Sequence, residues 1–105
     1  MIVTNNTQIE AKFFKGLADK SRLSILEAVM DDPKTVGDIV IQTGLSQPNV
    51  SMHLSCLLDC GLVHRTKNGR EVIYSVSCHE VSKLISTMRN ITKKYATELR
   101  ECERY

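Results

Sequence analysis

The chain has 105 residues, of which 42% are hydrophobic and 25% charged, and this composition predicts one globular domain over residues 1–105. No apolar run approaches the roughly 20 residues of a membrane span, and the start of the chain lacks the apolar core of a signal peptide. We therefore expect a cytoplasmic protein with no membrane partner. The net charge is only +2, so a nucleic-acid surface requires local clusters of basic residues. Four cysteines in a cytoplasmic chain indicate metal ligands or reactive thiols rather than disulfides.

Apolar residues at helical spacing predict two helices in the first third of the chain. The first covers residues 9–17 and carries Phe13 and Phe14, a large apolar load that a partner subunit could bury. Asp19 is the expected N-cap of the second helix, which ends before Pro33. The first helix is therefore predicted to have a strong apolar face, and the second to have a buried apolar stripe.

A third, short helix is predicted to begin at Thr35, which together with Asp38 resembles a capping box. Gly44 lies in a tight turn that leads into a fourth helix over residues 46–60. Two short helices joined by a glycine-containing turn form a helix-turn-helix pattern. A plain helical bundle is the alternative at this point.

The fourth helix is the predicted recognition helix. Ser46 is its expected N-cap, Pro48 is tolerated in its first turn, and Gly61 follows its end. One face is apolar and contains Val50, Leu54, Leu57 and Leu58. The polar side chains near its start suit DNA: Ser46 for a phosphate, and Gln47, Asn49 and Ser51 for base edges. Solvated helix surface is the alternative for each of these residues taken singly.

A β-hairpin follows, with predicted strands over residues 62–66 and 71–76 and a wing spanning about 62–76. Asn68-Gly69 is a strong signal for a type I′ turn. Arg65, Lys67 and Arg70 flank the tip, so this hairpin is the predicted DNA-binding wing, whose basic side chains contact phosphates or the minor groove. An ordinary solvated hairpin is the alternative.

The last segment is predicted to form one long helix over about residues 80–102. Its apolar residues follow heptad spacing, interrupted by Glu98, and include Val81, Leu84, Met88, Ile91, Tyr95 and Cys102. Such a seam favours pairing with a second copy over packing on the chain's own core. The predicted fold is therefore mainly α with a β-hairpin wing (α+β), a winged helix-turn-helix that forms a homodimer through its N- and C-terminal helices and reads pseudo-palindromic operator DNA.

Three segments, FFKGLADKSRLSILEAV, VGDIVIQTGLSQPNVSMHLSCLLDCGLV and NGREVIYSV, together resemble the ArsR/SmtB family of dimeric winged-helix repressors. Within that family, LSCLLDCGLV with a further cysteine near the C-terminus is similar to the cadmium- and lead-sensing members. The resemblance implies that Cys56, Cys60 and Cys102 of the partner subunit bind Cd(II) or Pb(II), with Zn(II) also possible. It further implies that the metal-free dimer binds its operator and that metal binding releases the DNA.

Two other metal sites of the family are argued against by this sequence. Members with a site on the third helix carry Cys-x-Cys there, where this chain has Val36-Gly37-Asp38-Ile39. Members with a site on the last helix carry Asp, His, His and Glu at places that hold Cys78, Glu80, Ile91 and Lys94. The sequence leaves open the role of Cys78 and whether His53 or a water adds a fourth ligand.

Cadmium and lead prefer thiolate ligands. Cys56 and Cys60 are four residues apart on a helix, so both thiols lie on one flank of it, but two thiolates are an incomplete set of ligands. Three alternative functions use other chemistry: arsenite binding by three thiolates, sensing of oxidants or persulfides by the same cysteines, and metal buffering without DNA. An enzyme with a small-molecule substrate is not expected, because the sequence contains no nucleophile-and-base pattern and no phosphate-binding glycine loop.

Overall fold

The computed structural model describes residues 6–105. This part of the chain is mainly α-helical with one antiparallel hairpin, as predicted. Its elements are α1 (Asn6–Leu17), α2 (Lys20–Asp31), α3 (Val36–Thr43), α4 (Gln47–Asp59), β1 (Val63–Asn68), β2 (Glu71–Val76), α5 (His79–Lys94) and α6 (Ala96–Glu101). Among these helices, none combines the length and the apolar character needed to cross a membrane.

The core lies where α2, α3 and α4 pack against one another and against the hairpin. Each helix contributes the apolar face that its spacing predicts, and the completely or almost completely buried side chains include Ile25, Leu26, Ile39, Val50, Leu54 and Leu57. Burial of one such side chain contributes roughly 1.5–3 kcal/mol. The apolar side of α4 is therefore fixed in the core, and its opposite side is left to solvent.

Side-chain caps start the three central helices at the predicted residues. The carboxylate of Asp19 accepts the Arg22 N–H, and the hydroxyls of Thr35 and Ser46 accept the N–H groups three residues further on. Each cap satisfies a backbone donor that has no partner within its own helix. The chain entry into α2, α3 and α4 is thus set by local sequence.

Removing the Thr35 cap should destabilise the domain by about 0.5–2 kcal/mol, because the Asp38 N–H loses the hydroxyl oxygen that lies 3.2 Å away. Urea unfolding of Thr35→Ala measures this change in the free energy of unfolding. Thr35→Ser is the matched control and should retain most of the stability. An equal loss in both variants would contradict the capping role.

A Schellman motif ends α4. Gly61 has φ +74°, its N–H donates to the Leu58 carbonyl, and the Leu62 N–H donates to the Leu57 carbonyl. The predicted glycine stop is therefore confirmed. The helix is one residue shorter at each end than the predicted range of 46–60, because Ser46 and Cys60 are its caps.

The hairpin turn differs from the predicted type I′ turn. Asn68 pairs with Glu71 as the last pair of the ladder, so the two loop residues are Gly69 and Arg70. Gly69 has φ +66°, and Arg70 has no positive φ, which is the pattern of a type II′ turn. Glycine satisfies the first loop position of that turn, and therefore Asn68 stays in the strand.

The hairpin is anchored to the helical core through Lys34. The Lys34 N–H donates to the Tyr74 carbonyl over 2.9 Å, and the Tyr74 N–H donates back over 2.8 Å. The Lys34 ammonium also donates to the Ala28 carbonyl at 2.8 Å, near the end of α2. Tyr74 also pairs with Arg65 of β1, so this backbone bridge connects both strands of the wing to the helix-turn-helix, in addition to the packing of the hairpin on the core.

The prediction of one continuous C-terminal helix over residues 80–102 is wrong. Tyr95 has φ −113° and ψ 27°, outside the helical region, and it separates α5 from α6. Cys102 lies beyond α6 in extended backbone. Val81 and Ile85 are buried in the chain's own core, so the first half of the predicted seam closes this subunit. Heptad spacing alone does not distinguish this packing from pairing with another helix.

Candidate DNA-binding surface and thiol site

The polar side of α4 is exposed at its N-terminal end. Gln47, Asn49 and Ser51 are all exposed, as predicted for residues that reach base edges. The Ser46 hydroxyl accepts the Asn49 N–H at 3.3 Å, which leaves its own O–H free to donate to a phosphate. Met52, on the same helix, is 57% exposed, so a large apolar side chain also faces solvent here. This end of α4 can enter a major groove without displacing core residues.

The basic residues of the hairpin are exposed as well. Arg65 and Lys67 are two positions apart on β1 and therefore lie on one face, and Arg70 lies in the turn. Three cations on one projecting element can neutralise phosphates, although the net charge of the chain is small. Recognition helix and wing together form a surface suited to duplex DNA.

Two of the three predicted metal ligands lie together. Cys56 is half-buried and Cys60 is exposed, one turn apart at the C-terminal end of α4. Partial burial raises the pKa of the Cys60 thiol, and the neighbouring Cys56 thiol raises it further through charge and hydrogen bonding. Both sulfurs belong to the helix that also carries the candidate base-reading residues.

The third predicted ligand does not join this pair within one subunit. Cys102 is half-buried at the end of α6, and residues 6–105 contain no group of three or more Cys, His, Asp or Glu side chains that could hold a metal ion. Cys78 is exposed and precedes α5. In the part of the chain that the structure describes, Cys56 and Cys60 are thus a pair of neighbouring thiols without a third such side chain beside them.

Arg22 is a contact of the thiol site that sequence reasoning missed. Its Nη1 lies 3.7 Å from the Cys56 Sγ, and its Nε is buried without a hydrogen-bond partner in the described part of the chain. These two residues are 34 positions apart, so the contact depends on the packing of α2 on α4. The contact places a positively charged side chain next to the sulfur of one predicted metal ligand.

His53 contacts α2 rather than the cysteine pair. Its Nε2 lies 3.9 Å from a carboxylate oxygen of Asp19. The pKa of Asp19 is lowered, mainly by the hydrogen bond from the Arg22 N–H, with smaller contributions from the charges of Arg22 and His53. The N-terminal end of α2 and the middle of α4 are therefore linked through polar side chains next to the thiols.

An exposed recognition helix, a basic hairpin and a helical core define a DNA-binding protein of the winged helix-turn-helix class. Residues 19–65 match the model of the arsR family of bacterial regulatory proteins. The chain is 39% identical over 94 residues to the probable mercury resistance operon repressor of Streptomyces lividans, covering 90% of this chain and 75% of the relative. It is 34% identical over 88 residues to the regulator CmtR of Mycobacterium tuberculosis, covering 84% and 75%.

The same fold is seen in a solved homodimeric winged helix-turn-helix DNA-binding domain from Mycobacterium bovis. The TM-score is 0.77 at 23% identity, with 90% of this chain and 93% of that chain covered. The protein described here belongs to the ArsR family of bacterial transcriptional regulators. It is a regulator of transcription and not an enzyme, as the sequence predicts.

Proposed function

We propose that this protein is a metal-responsive repressor whose metal-free homodimer binds operator DNA. Cd(II) or Pb(II), held by Cys56, Cys60 and Cys102 of the partner subunit, is the proposed signal that releases the DNA. The observation that carries the proposal is that α4 bears a pair of adjacent thiols at one end and the exposed polar residues at the other. Whatever binds these sulfurs therefore acts directly on the recognition helix.

The donor set supports a soft metal. Thiolate ligands favour soft ions over ions that prefer oxygen, and the positive charge of Arg22 beside Cys56 offsets part of the negative charge of a thiolate cluster. The relative in Streptomyces lividans is named a mercury resistance repressor. The choice of cadmium and lead follows the resemblance of the LSCLLDCGLV segment, and Zn(II) is a further candidate.

Exposed apolar side chains support a dimer through the terminal helices. Phe14 on α1 is 58% exposed, and Ile91, Tyr95 and Leu99 along α5 and α6 are about half exposed. Exposed apolar patches of this kind mark association sites. A two-fold dimer formed there would bring the Cys102 tail of one subunit to the other, and it would present two copies of α4 to an operator in the cytoplasm.

Coupling to DNA requires that the metal-bound and metal-free dimers differ in affinity for the operator. The Schellman motif fixes Cys60 at the last turn of α4, and Cys56 lies one turn earlier. A ligand that also binds the partner's Cys102 would restrain the orientation of α4 relative to the dimer scaffold. Typical couplings of about 1–3 kcal/mol weaken DNA binding by roughly five- to 150-fold.

A titration of the dimer on its own promoter region tests the proposal. We expect tight binding at fixed salt without metal, and release on addition of Cd(II) or Pb(II), measured by fluorescence anisotropy and by thiolate-to-metal absorption in the ultraviolet. Zn(II), arsenite and hydrogen peroxide are the comparison signals. Release by peroxide with no response to metal ions would instead indicate a redox sensor, and no binding to the promoter would indicate a metal buffer.

Cadmium affinity should increase with pH. Binding needs deprotonated thiols, and the raised pKa of Cys60 means that this thiol is protonated at neutral pH and must release its proton. The apparent affinity should therefore rise as the pH approaches the raised pKa and level off above it. Isothermal titration in buffers of different ionisation enthalpy counts the released protons, and a pH-independent affinity would contradict thiolate ligation.

A further inference from the structure

The tip of the wing carries an Asn-Gly pair that is open to solvent. Asn68 and Gly69 are both exposed, and the Gly69 N–H donates to no acceptor among residues 6–105. Glycine has no side chain that would hinder a reaction at this nitrogen. An unhindered and unpaired amide directly after an asparagine is the arrangement in which an asparagine side chain loses its amide group.

The position of the pair in the hairpin lets this reaction start. The sheet has only two strands, and Asn68 pairs with Glu71 as the last pair of the ladder. The end of a two-stranded ladder opens more readily than the part that packs on the helical core. Opening lets the Asn68 side chain turn toward the Gly69 nitrogen. Lys67 and Arg70 lie on either side of the pair, and their positive charges stabilise the amide anion that attacks.

We propose that Asn68 is a modification site, which converts to aspartate or isoaspartate without an enzyme. The Gly69 nitrogen attacks the carbonyl carbon of the Asn68 side chain and forms a new C–N bond. The bond from that carbon to the side-chain nitrogen breaks, and ammonia leaves with the proton of the Gly69 amide. Water then opens the succinimide ring at either carbonyl. The reaction thus consumes one water and releases one ammonia, and nothing is oxidised or reduced.

Two other asparagines lie in helices and lack this arrangement. Asn49 precedes Val50, whose N–H donates to the Ser46 carbonyl over 3.0 Å. Asn90 precedes Ile91 within α5. In both cases the next residue belongs to a helix and has a β-branched side chain, which crowds its amide nitrogen. Asn90 is therefore a slow internal reference for the reaction at Asn68.

Conversion would change the wing in two ways. Asn68 lies opposite Glu71 in the ladder, so a carboxylate at position 68 faces a like charge and weakens the terminal pair. The same carboxylate lies between Lys67 and Arg70, which are candidate phosphate contacts. The protein should therefore lose affinity for DNA as Asn68 converts. This consequence rests on the proposed function of the wing, whereas the reaction itself does not.

The first test follows the wild-type protein without DNA at mildly alkaline pH. Digestion with Lys-C gives residues 68–83 and 84–93, whose only asparagines are Asn68 and Asn90, and a zero-time sample corrects for conversion during digestion. We expect the mass shift of deamidation to appear in residues 68–83 on the order of tenfold or more faster, because glycine leaves the amide unhindered. Equal rates in the two peptides would overturn the proposal.

The second test measures the consequence for DNA binding. Asn68→Asp carries the product charge from the start and should bind the operator roughly two- to tenfold more weakly at about 0.1 M salt. Asn68→Gln is the matched control, because it keeps a neutral amide and its longer side chain does not form the five-membered ring. It should retain its affinity through an incubation that weakens the wild type.

A third variant separates this consequence from the proposed function. If Asn68→Asp binds DNA like Asn68→Gln, while replacement of Arg65, Lys67 and Arg70 by glutamine weakens binding, the consequence is wrong and the DNA-binding wing stands. If neither change weakens binding, the wing does not contact DNA, and the consequence is wrong with it. The rates from the first test are independent of both results.

Discussion

Cys102→Ser should abolish the response of DNA binding to cadmium while leaving the metal-free affinity for the operator unchanged. In the proposed mechanism the wild-type dimer loses roughly five- to 150-fold in DNA affinity on saturation with Cd(II). For the variant, the ratio of the DNA affinities without and with Cd(II) should be near one. The reason is that Cys56 and Cys60 lie on one helix of one subunit, so without Cys102 nothing ties the bound metal to the partner. Anisotropy titrations at one fixed salt concentration, with and without Cd(II), measure both affinities.

Glu103→Ser is the matched control for Cys102→Ser, since it places the same residue in the same tail without removing a thiol. It should respond to cadmium like the wild type. Ultraviolet absorption then separates binding from coupling, because the variant that lacks Cys102 should bind Cd(II) with fewer sulfur ligands. If that variant still binds cadmium through three sulfurs and still releases DNA, the link between subunits is wrong.

Local sequence signals predicted much of the fold. The caps at Asp19, Thr35 and Ser46 and the glycine stop at Gly61 each depend on hydrogen bonds within a few residues. The buried face of α4 follows from apolar residues at helical spacing, which a core position satisfies wherever the helix packs. These features need no knowledge of the rest of the chain.

The wrong structural predictions concern features that depend on packing between distant residues or on a choice between two similar local conformations. Gly69 suits either a type I′ or a type II′ turn, and the strand register selects the second. Heptad spacing predicted a free seam from Val81 onward, yet Val81 is buried by the chain's own core, and the backbone at Tyr95 interrupts the helix.

The arrangement of the thiols was also predictable only in part, because local spacing sets one feature and distant packing sets another. The spacing of Cys56 and Cys60 predicted that both thiols share one flank of α4, and the structure places them side by side. The contact between Arg22 and Cys56 joins two helices 34 residues apart, and no local pattern indicates it.

Replacing the three basic wing residues with glutamine should weaken operator binding on the order of 100-fold at about 0.1 M salt. Arg65, Lys67 and Arg70 are exposed on the hairpin, where they can contact phosphates. The slope of log affinity against log salt should become shallower by about 0.9 for each lost phosphate contact, and unrelated DNA should be affected as much as the operator. Binding isotherms at several salt concentrations, on both DNAs, measure these changes.

Two further variants separate the wing's contribution from that of the recognition helix and of net charge. Gln47→Ala/Asn49→Ala should leave the salt slope unchanged and reduce the preference for the operator by about 1–3 kcal/mol for each lost base contact. Lys12→Gln/Lys83→Gln/Lys93→Gln removes the same charge from exposed positions on α1 and α5 and should change the slope little. If this charge-matched control loses as much affinity as the wing variant, the effect belongs to the overall charge, and the hairpin does not act as a DNA-binding wing.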